Sequence, residues 1–297
     1  MLFRSLACGL LVLVILVLIA VSTSQQASSW FTAQGFKIFT NNWDPAAGQF
    51  GALAFIYGTA ITAVIALILA VPVSIGIALL LTEVVPYRWS RPIVYVIDLL
   101  AVVPSVVWGL WGIIVFAPWI QHIYTSIASG VKGIPVLDSL FGAPTSGASF
   151  FTAGIILAFM ITPIVTSLSR EVIATVPAID KEGAYALGAT RWEMIRGAVW
   201  PHSQAGVVGA VLLGLGRAMG ETIAVALVIG SSPQITSHLF APGYNLPAGI
   251  ANLFGEASGE FRAALMGMGV LLFVITIIIN VIARGAVQRN ARRKRGA

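Results

Sequence analysis

Residues 182–201 read "EGAYALGATRWEMIRGAVWP", a stretch too polar to cross a bilayer that sits between two runs apolar enough to do so. The 297-residue chain around it is 58% hydrophobic and only 9% charged, against about a quarter charged in an ordinary soluble domain. That leaves too few charges to cover a water-facing surface of this size. Lipid is the expected solvent, and the chain reads as an integral membrane protein. The single cysteine, Cys8, excludes an internal disulfide framework and a cysteine-rich metal site. His122, His202 and His238 fall in separate regions, which argues against a histidine metal centre.

A membrane-crossing helix needs about 20 mostly apolar residues. Scanning outward from the polar stretch on that basis gives six spans, at residues 3–22, 55–81, 92–117, 151–168, 203–230 and 264–283. Pro72, Pro104 and Pro163 lie inside spans, where neighbouring helices can satisfy the freed backbone groups. No small-residue cleavage site follows the first apolar run, so a retained helix is expected there rather than a removed signal. The fold class expected is all-α, a polytopic membrane protein with six transmembrane helices. With the N-terminus inside, thirteen of the 17 Lys and Arg fall in cytoplasmic segments and three in outer loops, the bias that sets orientation. Both termini are then cytoplasmic. The expected organisation is a first helix and outer loop (1–54), a five-helix core (55–284) with a cytoplasmic loop at about 170–202, and a basic tail (285–297). The tail "RNARRKRGA" directly follows a span, so it reads as an anchor on anionic lipid and not as a nucleic-acid arm. In the polar first outer loop, Trp30, Phe31 and Trp43 are candidate interface anchors. The second, at about 118–150, is rich in Gly, Ser and Pro.

The cytoplasmic segment has helical periodicity. Ala184, Leu187 and Gly188 share a face that Trp192 and Ile195 continue, and Asp180 and Thr190 are candidate N-caps. Two short helices meeting near Gly188 are expected. They read either as a helix lying on the membrane or as a docking element for a cytoplasmic partner.

The other unusual stretch is "GRAMGET", residues 216–222, inside the fifth span. A lone arginine at a helix centre costs at least about 2.5–3.5 kcal/mol on insertion scales. Spacing of four puts Glu221 on the same helical face as Arg217, within reach of a salt bridge. Two readings stand: a structural salt bridge between helices, or an arginine facing an aqueous path. Gly206, Ala210 and Gly214, with Gly216 and Gly220, repeat small residues every four positions, a pattern that lets helices approach closely and points to packing on a partner. Thr222, Thr162, Thr166 and Ser167 are candidate path hydroxyls, with bonding to their own helices as the alternative. Asp98 is expected near the inner edge of the third span, within reach of Arg91.

The stretch 182–201 resembles the EAA loop of ATP-binding-cassette importer permeases, whose pattern is E-A-A, three residues, G, nine residues, then I-x-L-P. It matches at Glu182, Ala184, Gly188 and Pro201 and departs at Gly183, Ala198 and Trp200. With "FIYGT", "LLAVVPSVVWGLWGI", "TPIVTSLSREVIATVP" and "LGLGRAMGETIAVALVIG", the region 42–282 resembles the permease subunits of the bacterial phosphate importer. That resemblance implies a type I, MetI-like permease architecture in the bacterial cytoplasmic membrane. It implies a PstA-like companion permease, a PstB-like ATPase pair and a PstS-like phosphate-binding protein outside. ATP and Mg would sit on the ATPase, and no cofactor on this chain, which carries no GxxxxGK[ST] loop. Glu182, Gly183, Ala184 and Gly188 would couple to the ATPase, and a small residue at 188 would permit a bend or a close approach. Arg217, Glu221, Thr222, Thr166 and Ser167 would line the path, with the planar guanidinium meeting phosphate oxygens. A permease for molybdate or sulfate, or a secondary transporter without an ATPase, are the rival readings.

Overall fold

The computed structural model describes residues 2–295, with side chains described for residues 6–285. Arg4 and the basic side chains of the tail lie outside those described. The elements in chain order begin with α1 (Leu2–Gln34), a two-stranded antiparallel hairpin (β1 Trp43–Asp44, β2 Gln49–Phe50) and α2 (Leu53–Leu79) ending in a π turn (Leu80–Val84). They continue with α3 (Tyr87–Val102), α4 (Ser105–Trp111), a second π turn (Gly112–Phe116), α5 (Ala117–Val131), α6 (Pro135–Leu140) and α7 (Phe150–Ala174). The rest comprises α8 (Ala178–Ala186), α9 (Arg191–Met194), a third π turn (Ile195–Val199), α10 (Trp200–Gly220), α11 (Ile223–Val228), α12 (Leu246–Leu253) and α13 (Gly259–Arg295). Among the described residues, six helical stretches are long and apolar enough to cross a membrane: Leu6–Phe39, Leu53–Val84, Ser105–Val131, Phe150–Ala174, Arg191–Gly220 and Gly259–Gly285.

The bundle is organised around α7. Ser149 caps it by accepting from the Thr152 backbone N–H at 3.2 Å. Pro163 sits inside it without ending it. Neighbouring helices close on α7 through glycines. A Cβ on Gly154 of α7 would fall 2.4 Å from Ile65 of α2; on Gly206 and Gly214 of α10 it would fall 2.5 Å from Val172 and 2.7 Å from Val165 of α7. Dispersion contact at this range needs the missing methyl. The Gly206–Ala210–Gly214 stripe, expected to meet a partner, therefore packs on the chain's own α7.

Two further expectations are corrected. The third long apolar helix begins at Ser105, and the expected span at 92–117 straddles a break. Val103 is extended (φ −57°, ψ 125°) before Pro104, because proline disfavours the α conformation of the preceding residue. The segment upstream is α3, which buries no residue. The Gly-, Ser- and Pro-rich stretch that follows is largely helical, with α5 and α6 occupying most of it. Finally, Trp30 is not an interface anchor. Trp30 is buried, its indole N–H donates to the Phe50 carbonyl at 3.2 Å, and Trp43 packs edge-on against Phe50, Phe55 and Phe261. The cluster closes the outer end between α1, α2 and α13, because the hairpin folds these rings back onto the helices.

Candidate functional site

The fifth span breaks at the GRAMGET stretch. α10 ends at Gly220, Glu221 is extended (φ −70°, ψ 127°), and α11 starts at Ile223. The break is held by side chains. The Glu221 carboxylate accepts from the Ala224 backbone N–H at 3.3 Å, capping the start of α11. Asn245 donates from Nδ2 to the Glu221 carbonyl at 3.4 Å, and its Oδ1 accepts from the Ala248 N–H at 2.9 Å to cap α12. The next residue, Leu246, donates its N–H to Thr59 Oγ1 of α2 at 2.9 Å. Glu221 thus ties α10, α11 and the outer segment before α12 into one buried knot.

This geometry overturns the expected pairing. With the helix ended at Gly220, the fourth residue after Arg217 no longer lies on its face. Glu221 is turned inward and 9% exposed, whereas Arg217 is exposed. Among the described residues Arg217 makes no ion pair or hydrogen bond; the one ion pair is elsewhere. Thr222 is half-buried, with its hydroxyl 3.3 Å from the Gly220 carbonyl.

Arg217 faces a groove of about 850 Å³ between α10 and α13. Gly209, Leu212 and Gly216 line it from α10; Ile277, Asn280, Val281 and Arg284 line it from α13. No heavy atom lies within 4 Å of where a Cβ on Gly209 or Gly216 would stand. Those glycines leave space for the groove. Its lining contains two guanidinium groups and no carboxylate. Arg217 lies 17 residues beyond Trp200, roughly 25 Å along the helix axis at 1.5 Å per residue.

The other path candidates are elsewhere. Thr166 is buried in α7, its hydroxyl without a hydrogen-bond partner among the described residues. Ser167 is half-buried, and neither residue lines the groove. Thr162 donates to its own helix at Ala158 (2.7 Å). Asp98 is exposed on α3, and Arg91 lies 4.5 Å over the Tyr87 ring instead of pairing with it.

The segment between the fourth and fifth spans forms two short helices, as expected. Gly188 separates them at φ +82°, with open space where a Cβ would be. Its task is the bend and not a close approach, since only glycine takes this conformation without cost. Thr190 and Glu193 form a reciprocal capping box at the start of α9. Asp180 is not a cap: Pro177 holds the N-cap position of α8, and Asp180 sits in its first turn. Glu182 and Gly183 are exposed, while Ala184 packs inward against Ala78, Ile173, Val176, Met194, Ile195, Val199 and Val207. That cluster joins the loop to the adjacent ends of α2, α7 and α10. An ion pair that sequence reading missed reinforces it: Lys181 Nζ of α8 lies 2.6 Å from Glu83 Oε1 in the π turn ending α2, with the Glu83 side chain 6% exposed. The residues are 98 apart in sequence, so no local spacing signals the pair. On the outer side of the same loop, Ile179, Leu187 and Trp192 present apolar surface, Leu187 at 91% exposure.

A six-span bundle with this two-helix loop between its fourth and fifth spans has counterparts. The family described as "Binding-protein-dependent transport system inner membrane component" matches residues 70–296. The chain belongs to this family of transport permeases. Among similar permeases, one from Mesorhizobium japonicum named "Phosphate transport system permease protein PstC" is 46% identical over 289 residues, 95% of this chain and 88% of that protein. One of the same name from Haemophilus influenzae is 43% identical over 287 residues, 95% of this chain and 91% of its own. The "PstC 1" permease of Mycobacterium tuberculosis is 42% identical over 254 residues, 84% and 75% of the two chains. Solved permease folds agree. A chain of the inward-facing MetNI methionine ABC transporter superposes with TM-score 0.58 at 14% identity, covering 84% of this chain and 99% of that one. A chain of a bacterial alginate ABC transporter, in complex with its alginate-loaded periplasmic protein, gives 0.59 at 16%, covering 97% and 95%. The fold is that of ABC-importer permeases, all-helical and multi-pass.

Proposed function

We propose that this permease forms the inorganic-phosphate path of an ATP-driven importer in the bacterial cytoplasmic membrane, with both termini and the α8–α9 loop on the cytoplasmic side. The observation that carries the proposal is the unpaired Arg217 guanidinium, deep along a membrane helix and facing a groove without carboxylates, in a chain whose relatives are named phosphate permeases. Lone intramembrane cations mark ion pathways by default. Guanidinium donates two parallel hydrogen bonds to one oxyanion and stays charged at every physiological pH. Glu221 acts by ending α10 one turn after Arg217 and keeping its own charge out of the groove, which leaves the guanidinium free for the anion.

The proposed coupling runs through the loop. The exposed apolar residues Leu187, Ile179 and Trp192, with Glu182 and Gly183 beside them, form the face for a PstB-like ATPase pair that binds ATP and Mg. Ala184 and Lys181 on the opposite face carry its movement into α2, α7 and α10. A PstA-like permease completes the path, and a PstS-like protein delivers phosphate from outside. Thr222 adds a hydroxyl near the break. Thr166 and Ser167 belong to the α7 packing that any such movement must deform.

The test is phosphate uptake by the reconstituted importer. Wild-type uptake should fall with excess arsenate and stay insensitive to sulfate and molybdate, and Arg217→Ala should abolish it while the ATPase still co-purifies. Uptake indifferent to excess unlabelled phosphate would remove the substrate assignment. Normal transport by Arg217→Ala would remove the path.

A further inference from the structure

The groove holds a second cation, which the proposed path does not use. Arg284 of α13 lines the same cavity as Arg217 and, like it, has no ion pair or hydrogen bond among the described residues. One turn before it stands Asn280, a polar residue in an otherwise apolar stretch of α13. Its amide is half committed: Nδ2 donates to the Thr276 carbonyl at 2.9 Å. That bond fixes the orientation of the amide, because reversing it would set two oxygens against each other. The remaining Oδ1 can only accept. Positions 280 and 284 are four apart and share one helix face. Spans five and six run antiparallel, so Arg284 lies toward the coupling-loop end of the groove and Arg217 toward the break.

We propose that Asn280 and Arg284 form a second anion station on the cytoplasmic side of Arg217, selective for an oxyanion that still carries a proton. Arg284 supplies charge and donors. Asn280 Oδ1 accepts from the P–OH of hydrogen phosphate. Sulfate and molybdate are fully deprotonated near neutral pH and have no such proton, so they leave Oδ1 facing an anion oxygen, a repulsive contact with no compensating bond. The same logic separates free phosphate from a lipid: a phosphodiester headgroup satisfies Arg284 but has no P–OH for Asn280. The inference rests on the groove being the anion path, and it adds selectivity within the membrane.

The experiment measures retention of ³²P-labelled phosphate by the assembled permease–ATPase complex in lipid nanodiscs, without nucleotide and without the outer binding protein. Arsenate and sulfate are the competitors. For the wild type, arsenate should compete at least about tenfold better than sulfate, the worth of one hydrogen bond made or left unmade. Asn280→Leu should bring the two competitors within about twofold. Asn280→Asp, which keeps an acceptor, should still reject sulfate. Arg284→Gln should weaken phosphate retention about tenfold. Co-purification of the ATPase checks that each variant assembles, and Asn280→Asp keeps the test decisive if the leucine variant does not. Sulfate rejection unchanged in Asn280→Leu, lost in Asn280→Asp, or phosphate retention unchanged in Arg284→Gln overturns the station. Loss of a co-purifying phospholipid from Arg284→Gln with phosphate retention intact also overturns it and makes the site a headgroup site. Arg217→Ala, assayed for uptake in parallel, separates the two claims. Normal uptake there fells the path itself, whereas an inactive Arg217→Ala beside unaltered Asn280 and Arg284 variants fells only the second station.

Discussion

The two ends of α10 are held in opposite ways. At the end that joins the α8–α9 loop, Val199 and Val207 enter an apolar cluster with residues from α2, α7 and α8, and Lys181–Glu83 adds an ionic tie across it. At the other end the helix stops at Gly220, and the Glu221 carboxylate and Asn245 hold the break by hydrogen bonds. Close-packed apolar clusters transmit displacement because they barely compress. A break held by a few directional bonds can change its angle while the cluster stays intact. The loop end is suited to receive force, and the broken end to redirect the Arg217 segment.

The largest effect should come from the charge itself. Arg217→Ala is expected to lower phosphate uptake by 100-fold or more, on the order of two lost charge-assisted hydrogen bonds. Arg217→Lys should remain well below wild type, because an ammonium lacks the planar fork. ATP-driven uptake by reconstituted complexes checks both.

Glu221→Ala tests the break. It removes the cap on α11, a change of about 1 kcal/mol, and leaves Arg217 unaltered. Uptake should fall severalfold and thermal stability slightly. Glu221→Asn, which can still cap, should recover most of the loss. Equal loss in both variants would mean that the negative charge matters and not the cap.

The ionic tie should have a smaller effect, visible in coupling. Lys181→Met leaves the nearly buried Glu83 without its partner, at a cost of up to about 3 kcal/mol. ATP hydrolysis per phosphate transported should rise, and the double exchange Lys181→Glu with Glu83→Lys should bring it partly back. Smaller still is Gly188→Ala, which places a Cβ at φ +82° for about 1–2 kcal/mol of local strain. With no neighbour within 4 Å of the added atom, assembly should survive and ATPase docking weaken modestly in a pull-down.

The sequence was most legible where the rules are local. Span number follows from apolar run length and the loop's two helices from Gly188 and the Thr190 cap; the count of six and the two helices are as expected, while the third span is displaced by the break before Pro104. It was least legible where distant segments meet. No helical period announces the end of α10 at Gly220, because Asn245, which bonds the Glu221 carbonyl there, comes from another part of the chain. Reading Arg217 and Glu221 as an i, i+4 pair assumed a continuous helix, and α10 ends between them. The Lys181–Glu83 pair and the burial of Trp30 were hidden for the same reason. The Gly206–Ala210–Gly214 stripe was rightly read as a close-packing face, but sequence alone did not say whether the facing helix belonged to this chain or another.

Arg217 standing in water, on the phosphate route, is the central claim, and one chemical measurement reaches it directly. Cys8 is the only native cysteine, so Cys8→Ser with Arg217→Cys gives a single thiol at the position. The assembled importer in proteoliposomes would be treated with a charged methanethiosulfonate reagent, with and without ATP and phosphate. The account predicts modification in at least one state of the ATP cycle, whether or not phosphate is present. A thiol that stays unreactive in every state, in a complex that still assembles, would contradict it.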